Sequence, residues 1–176
     1  MNSLKLKEKA LEIIRKANII LTKDEIEKME ITDLGLGKPE NIGLQLVVYV
    51  NTNRVCAKEI VLLPNQICPE HKHPPILHLN YQGKEETFRC RWGKVYLYVP
   101  GEPTKNAYGK RFIPFNKKKY FTVWHEIVLL PGEQYTLPPN TLHWFIAGKD
   151  GAVISEFSTT SYDEYDVFTD PGIRRV

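Results

Sequence analysis

The hexapeptide Glu59-Ile60-Val61-Leu62-Leu63-Pro64 recurs as Glu126-Ile127-Val128-Leu129-Leu130-Pro131, and each copy runs through a turn into histidine. A short β-rich run closed by a turn residue reads as a strand and its turn, so the chain has built one small unit twice. After the first copy come Pro69-Glu70-His71-Lys72-His73 and, further on, Glu86; after the second comes Pro138-Pro139-Asn140-Thr141-Leu142-His143. Three imidazoles and one carboxylate form a donor set suited to a borderline divalent cation.

Composition narrows the class. A chain of 176 residues is ample for one core and short for two, so a single domain is expected over 1–176. The 24 basic and 21 acidic residues leave a net charge of +3, and no Lys/Arg block exceeds Lys117-Lys118-Lys119. Nucleic-acid and membrane partners therefore have no compositional support. Cys56, Cys68 and Cys90 are odd in number, scattered and never in a CxxC pair, which reads as buried free thiols. Charged residues interrupt the N-terminus from Met1 to Lys16, and no segment approaches membrane-spanning length, so a reduced, cytoplasmic protein is expected.

Leu6, Ala10, Ile13, Ile14 and Ala17 fall on one face of an amphipathic helix, and Thr22-Lys23-Asp24-Glu25 carries the N-cap and capping-box spacing of a second. Together they predict an N-terminal helical pair over 1–30. From Leu44 the texture turns to β. A hairpin is predicted from Leu44–Val50 and Val55–Leu63, with further strands at Glu86–Trp92, Lys94–Val99, Tyr120–Leu130, Glu133–Leu137, His143–Ala147 and Ala152–Ser158. Many short strands behind a helical pair argue for a mainly β, antiparallel barrel or sandwich over 44–158. Glu102–Asn116 reads as a long surface excursion, and 159–176 as a loop-rich cover over the barrel.

Strand parity orders the candidate ligands. His71 and His73 share a face with Lys72 opposed, while Glu86 aligns with Phe88 and Cys90, and Thr87, Arg89 and Arg91 point the other way. Glu86 is thereby directed into the barrel and Glu85 outward, and an inward carboxylate demands a partner that a metal would supply. His78 and His125 fall off this template and read as loop or packing residues.

These residues resemble the two cupin motifs: a His-x-His with a Glu seven residues before a turn glycine, here Glu86 and Gly93, and a Pro-x-Gly-x-x-His, here Pro138 to His143. The gap from His73 to Glu86 is longer than in most cupins, which keeps Glu85 as a fallback ligand. Asn140 stands for the turn glycine, a mild change because Asn tolerates a left-handed backbone. Further runs widen the likeness: Leu46 to Thr52, Cys68 to Pro74, Gly83 to Gly93, Ser155 to Ser161 and Asp166 to Pro171 are similar to the D-lyxose isomerase family of cupin sugar isomerases. That resemblance implies a jelly-roll-like barrel and a place in carbohydrate metabolism. It also implies conversion of D-lyxose to D-xylulose and of D-mannose to D-fructose, a manganese-type ion and a homodimer. The donor set alone also suits cobalt, iron, nickel or zinc.

Aldose–ketose interconversion moves a proton between C1 and C2, and so requires a base. Glu156, in the strand after His143, is the candidate, although parity leaves its face undecided because Val153, Ile154 and Phe157 are all apolar. Lys94, just past the Gly93 turn, is a candidate donor to a sugar oxygen. Arg89 and Arg91 read as outer-face or dimer-contact residues, Asp166 and Asp170 as possible caps from the C-terminal cover, and Trp92, Trp124 and Trp144 as core or sugar platforms. An iron-dependent cupin dioxygenase and a non-catalytic sugar-binding cupin are the competing functions; oxygen consumption would mark the first, and a solvent-facing Glu156 the second.

Overall fold

A computed structural model describes residues 2–174; Met1, Arg175 and Val176, which the reading above places at the ends of the domain and of its C-terminal cover, lie outside the described residues. The N-terminal helices form where their caps predict them. Asn2 accepts from the Lys5 amide to start α1 (Ser3–Lys16), and Thr22 and Glu25 exchange bonds in a capping box that opens α2 (Lys23–Lys28). The apolar stripe of α1, Leu6, Ala10, Ile13 and Ile14, is buried on Val47, Val61 and Val153. Among the described residues no helix is long and apolar enough to cross a membrane.

Among the described residues nine strands make one curled sheet: β1 (Glu30–Thr32), β2 (Leu44–Asn51), β3 (Cys56–Leu62), β4 (Ile67–Lys72), β5 (Glu86–Val99), β6 (His125–Leu129), β7 (Gln134–Leu137), β8 (His143–Ser158) and β9 (Val167–Phe168). All ladders between them are antiparallel. The path β1-β2-β3-β8-β4-β9 continues through β5, which pairs with β8 on one edge and with β6 and β7 on the other. The architecture is the expected one: mainly β, a curled antiparallel sheet behind a helical pair.

Two expected strand breaks do not occur. β5 runs unbroken through Gly93 and β8 through 148–151, and the two pair from Glu86↔Ser158 to Tyr98↔Trp144. Drawn straight, the 16 residues of β8 would span about 50 Å. Yet Glu86, partnered with Ser158 at one end, brings its Oε1 to 3.1 Å from the Nε2 of His143 at the other. The ribbon therefore folds back on itself, and the register shifts at Cys90/Trp92 and Gly93/Val95 mark the corner. Glycine is required there: Gly93 has φ +78°, and a Cβ on it would lie 2.1 Å from the Gly151 carbonyl oxygen.

The bent sheet encloses a core of Leu44, Leu46, Ile60, Leu62, Phe88, Val95, Leu97, Phe145 and Ile154. The residues of opposite parity, Tyr98, Trp144 and Ile146, face outward and are covered by Ala107, Ile113 and Phe121. The predicted surface excursion is thus a packed outer layer, pinned where Tyr98 Oη and the Tyr108 amide donate to Glu126 at 2.5 and 2.6 Å. The predicted strand from Tyr120 starts only at His125, because Phe115–Tyr120 forms a 3-10 turn of that layer. β1 and β9 add short edges that the sequence reading did not contain.

The repeat is also structural. Asn65 and Gly132 follow the two hexapeptides at equivalent positions, and both are left-handed, with φ of 57° and 94°. Asn140 is left-handed as expected, at φ 60°. If the ribbon corner is as tightly packed as described, Gly93→Ala destabilises the protein by about 3 kcal/mol or more. Gly132→Ala, also left-handed but with nothing within 4 Å of its added Cβ, loses only about 1 kcal/mol. Urea denaturation of the two variants measures the difference, and equal losses would contradict the close approach of the two strands.

Candidate functional site

His71 lies near the end of β4, His73 just beyond it, Glu86 opens β5 and His143 opens β8. The fold-back of the β5–β8 ribbon and the β4–β8 pairing His71↔His143 bring all four together. A bulge between Cys68 and His71 sets the register. It turns Glu70 to the outer side, where its carboxylate accepts from the Thr122 and Val123 amides and from the Thr122 and Thr169 hydroxyls.

One ring nitrogen from each histidine lies within 4.8 Å of the others. Glu86 Oε1 is 3.2 Å from His73 Nε2 and 3.1 Å from His143 Nε2. His73 Nε2, His143 Nε2 and Glu86 Oε1 are buried and have no hydrogen-bond partner among the described residues. Each such orphan costs about 1–3 kcal/mol, so three aimed at one point are stable only if something else satisfies them.

The opposite ring nitrogens are all occupied. His71 Nδ1 donates to the Pro69 carbonyl at 2.8 Å, His143 Nδ1 to the Thr141 carbonyl at 3.0 Å, and His73 Nδ1 to the Asp166 carboxylate. Acceptors at every Nδ1 leave the Nε2 lone pairs facing inward, which is how metal-binding histidines are oriented. The donor chemistry and the orphaned atoms both fit a divalent cation.

The electrostatics favour a neutral His71 and an ionised Glu86, and a His73 that keeps its proton until a cation displaces it. Burial, and then the neighbouring His143 and His73, push His71 well below the usual imidazole range. Burial opposes ionisation of Glu86, but Lys84, His73 and His143 outweigh it and hold the carboxyl well below its usual range. Burial likewise opposes charge on His73, yet Glu86 and Asp166 raise it to about 9. Lys84 is raised well above its usual value, because Glu156 and Glu86 outweigh its burial.

Beside this centre stands a line of buried charges. Lys84 Nζ lies 2.8 Å from both Glu86 Oε2 and Glu156 Oε1. Glu156 also accepts from Ser158 Oγ at 3.1 Å, and Lys58 Nζ is 3.6 Å from its Oε1. Parity along β8 is now settled: Ile154 and Glu156 face the interior, whereas Val153 packs on α1 and Phe157 is exposed. Glu156, Lys58, Lys84, Glu86, His71 and His73, with Phe88 and Phe145, line a cleft of about 310 Å³ counted out to its open mouth.

Other candidates fall elsewhere. Glu85 is exposed, so Glu86 is the inward carboxylate. Lys94 is not brought to the centre: the ribbon corner carries it to an outer cleft with Tyr96 and Tyr108. Lys84, not among the candidates singled out from the sequence, stands at the centre instead, between Glu86 and Glu156. His78 contacts Tyr165, and His125 accompanies the Glu102 carbonyl, both at the surface. Arg89 lies on the outer face, donating to Gln134. Asp166, one of the possible caps, is buried against His73, whereas Asp170 pairs with Lys117 away from the centre. Trp144 stacks on Tyr98 in the outer layer, Trp124 joins it there, and Trp92 packs near α1, so none is a platform in the cavity. The C-terminal cover is closer than expected: β9 pairs with β4, and Phe168 stacks on His71.

No family model matches the chain. A D-lyxose ketol-isomerase of Thermofilum sp. (strain ex4484_79) is 62% identical over 97% of this chain and 92% of its own. A D-lyxose/D-mannose isomerase of Thermosediminibacter oceani is 59% identical over 97% and 92%. Among solved structures, the L-ribose isomerase of Acinetobacter sp. DL28 in complex with L-ribose superposes with a TM-score of 0.78 at 12% identity, covering 96% of this chain and 91% of that one. The last likeness shows the fold; the first two show descent. The chain therefore belongs to the D-lyxose ketol-isomerase family of cupin-fold sugar isomerases.

Proposed function

We propose that the protein interconverts free aldoses and ketoses, D-lyxose with D-xylulose and D-mannose with D-fructose, by enediol proton transfer. The cation is a divalent ion, manganese first, held by His71, His73, Glu86 and His143. We further propose that it works in the cytoplasm as a homodimer. The sugar assignments follow the names of the relatives. The observation that carries the reaction is Glu156, a buried carboxylate lining the same cavity as His71 and His73. When bound, a divalent cation would draw negative charge from the oxygens on C1 and C2 and so make the carbon-bound proton easier to remove.

The remaining work falls to side chains. Glu156 takes the proton from one carbon and returns it to the next. Lys84 fixes that carboxylate, because one ammonium bridges Glu156 and Glu86 at 2.8 Å each and so ties the base to the centre. Phe88 and Phe145 give the sugar's C–H faces an apolar floor and exclude water. A free rather than phosphorylated sugar is favoured because the carboxylates of Glu86, Glu156 and Asp163 beside the two lysines of the cavity would repel a dianion.

Metal-stripped protein given manganese and a panel of aldoses, assayed anaerobically for ketose, tests the reading; absence of ketose from every aldose would refute it. Glu156→Gln retains metal and loses about 10²–10⁴-fold in turnover. His73→Ala loses both metal and activity. Asp166→Ala weakens metal binding by about 10–100-fold, measured by equilibrium dialysis, since it removes the acceptor that orients His73. Because His73 without a cation holds its proton up to about pH 9, loading at neutral pH displaces that proton, and affinity rises as pH increases toward 9. Calorimetry in buffers of different ionisation enthalpy counts the released proton.

A further inference from the structure

We infer that Lys58 binds the far end of the sugar, the carbons beyond the two between which the proton moves, and thereby sets how strongly the enzyme distinguishes substrates by chain length. The inference rests on the isomerase reading above. Two buried ammonium groups face the cavity, and they differ in how fully they are used. Lys84 reaches two carboxylate oxygens at 2.8 Å. Lys58, 4% exposed, makes one hydrogen bond, to Ser161 Oγ at 3.2 Å, while the carboxylates of Glu156 and Asp163 lie 3.6 and 3.8 Å away, beyond hydrogen-bond reach. An ammonium carries three donors. Lys58 therefore keeps buried donor capacity that no described residue takes up, directed at a space lined by the reacting groups.

Its position gives that capacity a direction. Across the sheet Lys58 pairs with Glu156, and Glu156 pairs with Phe88 of β5, the strand that Glu86 opens. Moving away from the histidines, the cavity wall presents Glu86, then Glu156 with Lys84, then Lys58. A sugar whose C1 and C2 lie by the histidines and Glu156 extends its remaining hydroxyls toward Lys58. The roof above is the segment that holds Ser161, tied in both directions to Asn51: Asn51 Nδ2 donates to the Ser161 carbonyl at 2.9 Å, and the Ser161 amide donates back at 3.0 Å. Lys58 thus meets the substrate between the sheet and its cover. Lys84 acts through Glu156; Lys58 touches the sugar.

The test compares D-lyxose with an aldotetrose of the same configuration at C2 and C3, which ends one hydroxyl-bearing carbon short. In Lys58→Met the ratio of kcat/KM for pentose over tetrose falls by about 10–100-fold, as expected for a lost hydrogen bond from a charged group, mostly through KM and with the tetrose losing the smaller factor. Affinity of manganese-loaded protein for the five-carbon polyol made by reducing lyxose falls by the same factor in calorimetry. If Lys58 served only to balance the charge of Glu156, both sugars would lose equally and the pH profile of kcat would shift, which overturns the inference. An unchanged ratio overturns it too. Should Lys58→Met not fold, Lys58→Arg, which keeps the charge but displaces the donors, decides in the same way: a reduced ratio supports the assignment and an unchanged one overturns it. A wild-type protein that turns over neither sugar overturns the isomerase reading itself, a result distinct from an active enzyme whose ratio survives the substitution.

Discussion

The fold-back of the β5–β8 ribbon is the constraint on which everything else rests. Two long strands paired along their whole length would hold Glu86 and His143 far apart; closing them to 3.1 Å requires a corner that only small residues can turn. Gly93, left-handed, lets the two backbones pass where a Cβ would meet the Gly151 carbonyl, and Gly151, also left-handed, clears the Leu62 carbonyl of β3. The same bend sorts the side chains of each strand into an inner set around the cavity and an outer set under α1 or the 107–124 layer. Hydrophobic burial on both sides of one sheet therefore stabilises the very curvature that brings the polar atoms of the centre together.

A core of this size does not need a buried line of Glu86, Lys84, Glu156 and Lys58, closed at its outer end by the half-buried Asp163. Replacing such ions by apolar side chains of similar volume is often neutral or stabilising, whereas removing one partner strands the other at a penalty of several kcal/mol. Alternating signs make the line tolerable, because each cation faces a carboxylate on either side. Its existence inside a barrel otherwise packed with Leu, Ile and Phe is a marker of chemistry rather than of stability. The orphaned Nε2 and Oε1 atoms mark it again, at the end of the same line.

Much of this was legible in the sequence, for identifiable reasons. His71, His73 and Glu86 were readable because strand parity has a period of two and their neighbours, Phe88 and Cys90, are apolar. The duplicated hexapeptide located His143. Glu156 resisted because apolar residues occupy both faces of β8, one packed inside the barrel and the other under α1, and alternation carries no signal when both sides are buried. Lys58 was hidden by the same effect, with Ile60 and Leu62 on its face and Val61 on the other. Lys84 precedes β5 on a loop where parity does not apply, and Lys94 was misplaced because Gly93 was read as a turn between strands rather than a bend within one. Asp166 could not be placed, since a short edge such as β9 leaves too little pattern to detect.

The C-terminal cover is coupled to the centre by bonds rather than by simple proximity. On its outer side β4 offers Glu70, whose carboxylate holds the Thr122–Val123 turn and Thr169 together. On its inner side the same strand offers His71, stacked on Phe168, and just beyond it His73, bonded to Asp166. One short strand thus clamps the cover from both faces. Any displacement of residues 166–169 must disturb either the acceptor that orients His73 or the bonds that set the register of β4. The cover over this cavity is consequently part of the machinery that positions His71 and His73.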